Sequence, residues 1–327
     1  MLSRTRFAEK SASSVNHTLQ VFYCDHHEIP LPPGHKFPLP KYRMLREKLE
    51  QDGRFCLEPA PSAYSKTICL AHDAEYVNGF IGGTLPHLVM RRIGFPWSAG
   101  LVRRTLASAG GTIAAAENAL KHGFGGTLAG GTHHAFRSEG AGFCVFNDVA
   151  VAIHWLRSVG RGHRFAVVDL DVHQGDGTAQ FFEHDRDVFT VSLHGKNNFP
   201  FRKQHSKIDV ELEDGTQDEE YLRALDAVLP SVWEFAPELV FYLSGVDALA
   251  ADRLGRLSLS LEGMKTRDRT VIAGAKARQI PLVVTLGGGY AEPIELTVQA
   301  HASTFSIAAE VFGAGDAVEA ARESAGR

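Results

Sequence analysis

Short apolar runs, each closed by glycine or a polar group, recur along the chain: VFYC (Val21 to Cys24), GTLAGG (Gly126 to Gly131), FAVVD (Phe165 to Asp169), VFTVSLH (Val188 to His194), LVFYLSG (Leu239 to Gly245) and PLVVTLGGG (Pro281 to Gly289). Such runs read as buried strands. Between them lie helical patterns. Ser108 to His122 is Ala-rich and stops at Gly123, Asn147 caps a helix running to about Val159, Asp218 to Phe235 and Leu261 to Arg278 are amphipathic, and Leu296 to Phe312 closes the series. Alternation of this kind predicts an α/β fold with one domain, built on a central, mainly parallel sheet with helices on both faces. Ligands of such sheets bind beyond the carboxyl ends of the strands. The polar residues follow that rule: HH comes after Leu128, DLDVH after Val168, SGVD after Leu243 and GGGY after Leu286. No internal repeat or low-complexity linker interrupts the pattern, and Ile29 to Pro40, with five prolines, reads as a rigid loop.

The stretch VVDLDVHQGDG, Val167 to Gly177, places acids where a buried strand ends. Uncompensated charge there is costly. Side chains alternate along an extended segment, so Asp169, Asp171 and His173 point to one side, an arrangement that suits a metal ion as well as a solvated turn. His133 and His134 are adjacent imidazoles after two glycines, and buried histidines with satisfied hydrogen bonds are the plainer reading of such a pair. Paired with Asp169 and Asp176, each would have a carboxylate to fix its tautomer and raise its basicity. Asp171, His173 and Asp247 would make three ligands with an open fourth position, the pattern of a catalytic zinc. Asp247 could equally cap a helix. The glycines before Tyr290 allow a close backbone approach to a ligand, and the phenol could donate to an oxyanion or simply pack.

Composition narrows the class. At 327 residues, 44% hydrophobic and 22% charged, the chain resembles an ordinary globular protein, and no apolar run is long enough to span a bilayer. A formal net charge of −4 gives no basic footprint for nucleic acid, and Arg91, Arg92, Arg103 and Arg104 read as solvated helix surface. Cys24, Cys56, Cys69 and Cys144 form no C-x-x-C and follow no secretory h-region, which favours free thiols and a cytoplasmic setting. The opening MLSRTRFAEKSASS has the Arg/Ser bias of a transit peptide or of a disordered tail. The expected organisation is a flexible tail over residues 1–19, a catalytic domain over 20–315 and a second tail over 316–327.

Together, GGTHHA, GFCVFND, DLDVHQGDGT, TVSLH, SGVD, ADRLGRLSLS and GGGY resemble, in order and spacing, the histone deacetylase family of the arginase/deacetylase fold, from about Val21 to Phe312. FPWSAGLVRRTLASAGGT, DVELEDGTQDEEYL and RLSLSLEGMKTRD look most like class IV and its bacterial relatives. The resemblance implies a hydrolase in which Asp171, His173 and Asp247 hold Zn²⁺, or Fe²⁺ where availability favours it. His134, oriented by Asp176, would move the proton. His133, oriented by Asp169, would give electrostatic support, and Tyr290 would stabilise the oxyanion. Gly142 would accept from the substrate amide, Phe143 and Phe199 would wall an apolar tunnel, and Gly288 would approach the substrate. A structural K⁺ would lie near Asp169, Asp171, His173, Ser192 and Leu193.

The implied substrate is an acyl-lysine in a protein or peptide, acetyl or a longer fatty acyl, or else an acylated small amine as in an acetylpolyamine amidohydrolase. Neither nucleic acid nor membrane is an expected partner. Two departures stand out: RRIGFPWSAG lacks the acid with which many members grip the substrate backbone, and Gln174 stands where other branches have a second histidine. A dinuclear ureohydrolase would need a further acid soon after Asp247, but Ala248, Leu249, Ala250 and Ala251 cannot ligate. A non-catalytic acyl-lysine-binding scaffold would have lost His134, Tyr290 or a ligand, and all are present.

Overall fold

The computed structural model describes residues 18–313. The tail expected over 316–327 and most of the one over 1–19 lie outside the described residues. Leu19 already opens the first strand.

In chain order the elements are β1 (Leu19–Tyr23), α1 (Pro40–Asp52), β2 (Phe55–Pro59), α2 (Ser65–Ile68), α3 (Ala74–Gly82), α4 (His87–Ile93), α5 (Ala99–His122) and β3 (Phe124–Thr127). There follow α6 (Asp148–Ser158), β4 (Phe165–Asp169), α7 (Asp176–Phe182), β5 (Val188–Gly195), β6 (Ile208–Leu212), α8 (Asp218–Glu234), β7 (Leu239–Leu243), α9 (Leu261–Ala277), β8 (Leu282–Thr285) and α10 (Ile294–Phe312). The strands form one eight-stranded sheet in the order β2-β1-β3-β8-β7-β4-β5-β6. Every pairing is parallel.

Strand alternation sends consecutive side chains into two cores. Ala166 and Val168 of β4 join Leu45, Leu225, Val271 and Phe305 on the face covered by α1, α8, α9 and α10. Phe165 and Val167 join Ala109, Ile153 and Val77 on the face covered by α3, α5 and α6. Helices therefore cover both faces, as the apolar pattern predicts.

The central four strands are β3, β8, β7 and β4, so the four polar segments that follow them are brought together at one edge of the sheet. Asn147 caps α6, its side chain accepting from the Ala150 N–H. The strands that pattern reading missed, β2 and β6, are the two sheet edges. Glu58, Asp209 and Glu211 interrupt their apolar runs because an edge strand is only partly buried.

Helix α5 corrects two expectations. It begins at Ala99, with Ser98 accepting from the Leu101 N–H as its cap, nine residues before the expected start at Ser108. Arg103 is exposed, as expected of a solvated surface, whereas Arg104 is only 6% exposed. A guanidinium on the inward face breaks the helical periodicity, which is why this first half of the helix was hidden in the sequence.

Candidate active site

Residues 130–134 come off β3 as a loop held by one buried carboxylate. Asp148 accepts from the Gly131 N–H (3.2 Å), the Thr132 N–H (2.8 Å) and the hydroxyls of Thr132 and Thr112 (both 2.6 Å). That loop delivers His133 and His134, each 4% exposed. His133 Nδ1 lies 2.7 Å from Asp169 Oδ2, at the end of β4, and His134 Nδ1 lies 2.7 Å from Asp176 Oδ1, at the start of α7. Nδ1–H donates to the carboxylate in each pair, which leaves Nε2 for other chemistry.

The two imidazoles are driven in opposite directions. Burial alone would lower His133, but the charges of Asp169 and Asp171 raise it to about 9. Burial lowers His134 to about 4, and the neighbouring positive His133 adds to that against the pull of Asp176. The carboxylates facing His133 favour its protonated form, whereas burial and the neighbouring cation favour the neutral form of His134.

Asp171, His173 and Asp247 offer ligand atoms that all lie within 4.8 Å of one another. Asp171 and Asp247 are 1% and 0% exposed. His173 Nδ1 sits between them at 2.9 and 3.1 Å. Two buried carboxylates this close repel, and the cost falls on Asp247, whose pKa burial and the Asp171 charge raise to about 7. Burial would also lower His173, yet hydrogen bonds to both carboxylates raise it to about 10. The imidazole thus carries the positive charge that this donor set calls for, and a metal ion would supply it instead. Asp247 caps no helix; its Oδ1 accepts from the Val172 N–H at 2.9 Å, tying the β7 loop to the β4 loop.

The β8 loop closes the site. The Gly288 N–H donates to Asp171 Oδ2 at 2.5 Å, and a Cβ on Gly288 would fall 1.7 Å from Asp247 Oδ2, so only glycine fits against the triad. Gly142 has φ +54, and its Cβ would meet His134 Cδ2 at 2.7 Å. Phe143 follows with φ 65, a left-handed conformation that costs a bulky residue energy and turns its ring to line the cavity.

A cavity of about 390 Å³ joins these groups, lined by His133, His134, Gly142, Phe143, Asp171, His173, Phe199, Gly288 and Tyr290 among others. Phe199 stands edge-on to His134 with ring centroids 4.9 Å apart, and Phe143 lies 6.3 Å from the Tyr290 ring. Desolvation raises the Tyr290 phenol well above its usual range, which keeps it a hydrogen-bond donor. Of the remaining expected residues, Ser192 sits beside Asp169 in the β4–β5 register, and Leu193 follows it, fully buried. Gln174 is also fully buried, its amide bonded to the Gln204 carbonyl and Asp209, both at 2.8 Å.

Sequence reading missed several supporting groups. Asp252 accepts from the Tyr290 N–H at 2.6 Å and from the Leu254 and Gly255 N–H groups, so it holds the tyrosine. Lys41, 2% exposed, donates to the carbonyls of Gly287 (3.0 Å) and Gly289 (3.5 Å). Arg267, fully buried, donates to the Leu170 and Gly245 carbonyls behind the triad and pairs with Asp268. Asp252 lies in ADRLG and Arg267 in RLSLSLEGMKTRD, stretches that carry the family resemblance without assigning either side chain a role. Lys41 and Arg267 act through backbone carbonyls, which leave no trace in side-chain spacing.

An all-parallel sheet with its polar residues gathered beyond the central strands is the fold of the arginase/deacetylase class. It is shared with the acetylpolyamine aminohydrolase of Burkholderia pseudomallei (TM-score 0.75, 20% identity, 90% of this chain and 99% of that one). A histone deacetylase homologue solved with SAHA aligns with TM-score 0.74 and 26% identity over 90% of this chain and 84% of its own.

Residues 35–305 match the family described as Histone deacetylase domain, and the chain belongs to that family. An uncharacterized protein of Picosynechococcus is 42% identical over 296 residues, 89% of this chain and 99% of that protein. Histone deacetylase 1 of Oryza sativa is 32% identical over 79% of this chain and 53% of its own length. The chain spans about half the length of the named histone deacetylases that it matches.

Proposed function

We propose that the protein is a metal-dependent amidohydrolase that removes an acyl group from the ε-amine of acyl-lysine. The observation that carries this reading is the pair of histidines with opposed proton affinities beside a three-donor metal centre. Asp171, His173 and Asp247 would hold the ion, zinc by preference and ferrous iron where it is the available metal. When bound, such an ion polarises an acyl carbonyl and brings water's pKa toward neutrality.

The chain's own groups do the rest. His134, a free base at neutral pH, takes a proton from the attacking water and returns one to the departing amine, while Asp176 keeps its tautomer. His133, cationic through Asp169, supports the negative charge developing on the carbonyl oxygen, and the Tyr290 hydroxyl donates to that oxygen. The Gly142 carbonyl accepts from the substrate amide. Phe143 and Phe199 flank the lysine methylenes, and Gly288 lets the substrate approach the triad. For the structural K⁺, Ser192 and Leu193 beside Asp169 make a fitting location, with Asp171 and His173 as the remaining partners.

The mouth favours acyl-lysine over an acylated polyamine. Beside its residues Asn197, Phe199, Phe201, Leu254 and Arg256, the acid Asp214 is already paired with the Arg256 guanidinium at 3.0 Å, which weakens its pull on a small polycation. A dinuclear ureohydrolase is disfavoured because Asp252, the next acid after Asp247, is committed to three backbone N–H groups. The free cysteines suit a cytoplasmic setting. Among the described residues no helix is long and apolar enough to cross a membrane.

The test is a panel of acyl-lysine peptides and acylated polyamines assayed with zinc-loaded protein. Cleavage of the peptides is expected. Faster cleavage of the polyamines would shift the substrate class, and no cleavage of either would end the proposal.

A further inference from the structure

The cavity runs from an exposed mouth to a buried wall. At the mouth Phe201 is 88% and Phe199 38% exposed, whereas the opposite wall is made by Cys24, Ile29, Leu101 and Arg104, none above 6%. Leu101, Arg104, Thr105 and Ser108 line it from one face of α5. A cation therefore ends the pocket.

Arg104 has no carboxylate partner among the described residues. Its Nη1 reaches the Cys24 carbonyl at 3.4 Å, beyond the usual range for an N–H···O bond, and its guanidinium stacks on the Tyr42 ring at 4.4 Å. Asp25, in the same loop, is already bound to Arg46 at 3.0 Å. Lys41, a second buried cation nearby, is satisfied by the β8-loop carbonyls. Burying a guanidinium without a counter-charge is costly, and proteins bury Arg where it meets a planar anion. One turn along α5, the Ser108 Oγ accepts from the Gly130 N–H, which leaves its hydroxyl proton free to donate into the cavity. Ile29, Leu101, Ala109 and Ala129 supply apolar wall for methylenes between the two ends.

We propose that Arg104 recognises a carboxylate at the far end of the acyl group, so that the preferred substrates are ω-carboxyacyl amides of the succinyl or glutaryl class. A neutral acyl tail would leave the buried guanidinium without a counter-charge, while a terminal carboxylate gives it a bidentate anionic partner. The inference rests on the amidohydrolase reading above and names its acyl group. Hydrolysis adds the oxygen of one water to the amide carbonyl, breaks the C–N bond and leaves the amine with a proton from that water; the products are a dicarboxylate and the peptide with its lysine ε-amine restored.

The experiment compares kcat/KM for succinyl- and glutaryl-lysine peptides with the neutral pentanoyl and hexanoyl isosteres, in the zinc-loaded protein and in Arg104→Gln and Arg104→Lys. The expected result is at least a tenfold preference for the carboxylated acyl group, lost in Arg104→Gln and partly restored in Arg104→Lys. A preference for the neutral isostere, or a carboxylate preference that survives in Arg104→Gln, overturns the proposal while leaving the amidohydrolase reading intact. Arg104→Gln slowing all acyl groups equally also overturns it, since the cation would then serve only the product carboxylate. Calorimetric binding of free glutarate against hexanoate, in the protein and in folded Arg104→Gln, decides the question even if no amide is cleaved. Glutarate binding that depends on Arg104 supports the subsite, and equal binding of the two acids sinks it.

Discussion

His133 and His134 are neighbours in the chain, each with an aspartate 2.7 Å from Nδ1 and each buried to the same degree. Their surroundings differ. The partner of His133 closes β4 beside the triad, where Asp171 Oδ1 stands 3.9 Å from its Nε2 and adds a second negative charge. The partner of His134 opens α7, and apart from Asp176 the charge that acts most on that ring is the positive imidazole of His133. Identical pairs thus acquire opposite proton affinities, and burial alone does not decide which. The number of carboxylates facing each ring does.

The comparison can be broken most severely at Asp171. Asp171→Ala removes one anionic donor of the triad and one of the two charges that hold the His133 proton; metal uptake and hydrolysis are both expected to vanish, and full activity with stoichiometric metal would refute the assignment. His134→Ala should slow kcat by about 10²–10⁴ with metal content unchanged, the range for a lost acid–base group. Tyr290→Phe should slow turnover by about 10²–10³, again with metal retained. An unaltered rate in that variant would move the oxyanion donor elsewhere.

Asp176→Asn should reduce activity by roughly 10–100-fold, the scale for removing a group that orients an active-site imidazole. Because Asp176 raises His134, the acid limb of the pH–rate profile should also shift to lower pH. An upward shift would contradict the pairing.

The smallest effect is on the stability of the metal-free protein. His134 and His72 fall to about 4 on folding, chiefly by burial. The unfolded chain therefore takes up these protons first, so their contribution is complete above about 6.5 and lost as pH falls toward 4. His133, raised to about 9, contributes fully below about 6.5 and loses that contribution as pH rises through 9. His173, raised to about 10, acts in the same sense, so urea midpoints should fall between pH 7 and pH 9, and a midpoint rising to pH 9 would contradict the His133 assignment.

Much of the site was legible in the sequence because its chemistry sits at strand ends. A β-branched run that stops at an acid signals both the strand and the place where a buried charge needs compensation, which is how Asp169, Asp171 and Asp247 stood out. The edge strands β2 and β6 were not legible, since half-exposed strands tolerate acids that blur the apolar pattern. The first half of α5 was hidden for the opposite reason, a charge on its inward face.

The alternation of strands and helices, the conformational freedom of Gly142 and Gly288, and the donor types of the triad follow from residue identity and local periodicity, which one sequence displays. Which carboxylate faces which imidazole, and therefore which ring keeps its proton, depends on β4, α7 and β3 meeting at one edge of the sheet. The same holds for Lys41, Asp252, Arg267 and Arg104. Each exerts its effect across tens or hundreds of residues of chain, through electrostatics and backbone hydrogen bonds that exist only once the sheet has assembled and water has been excluded.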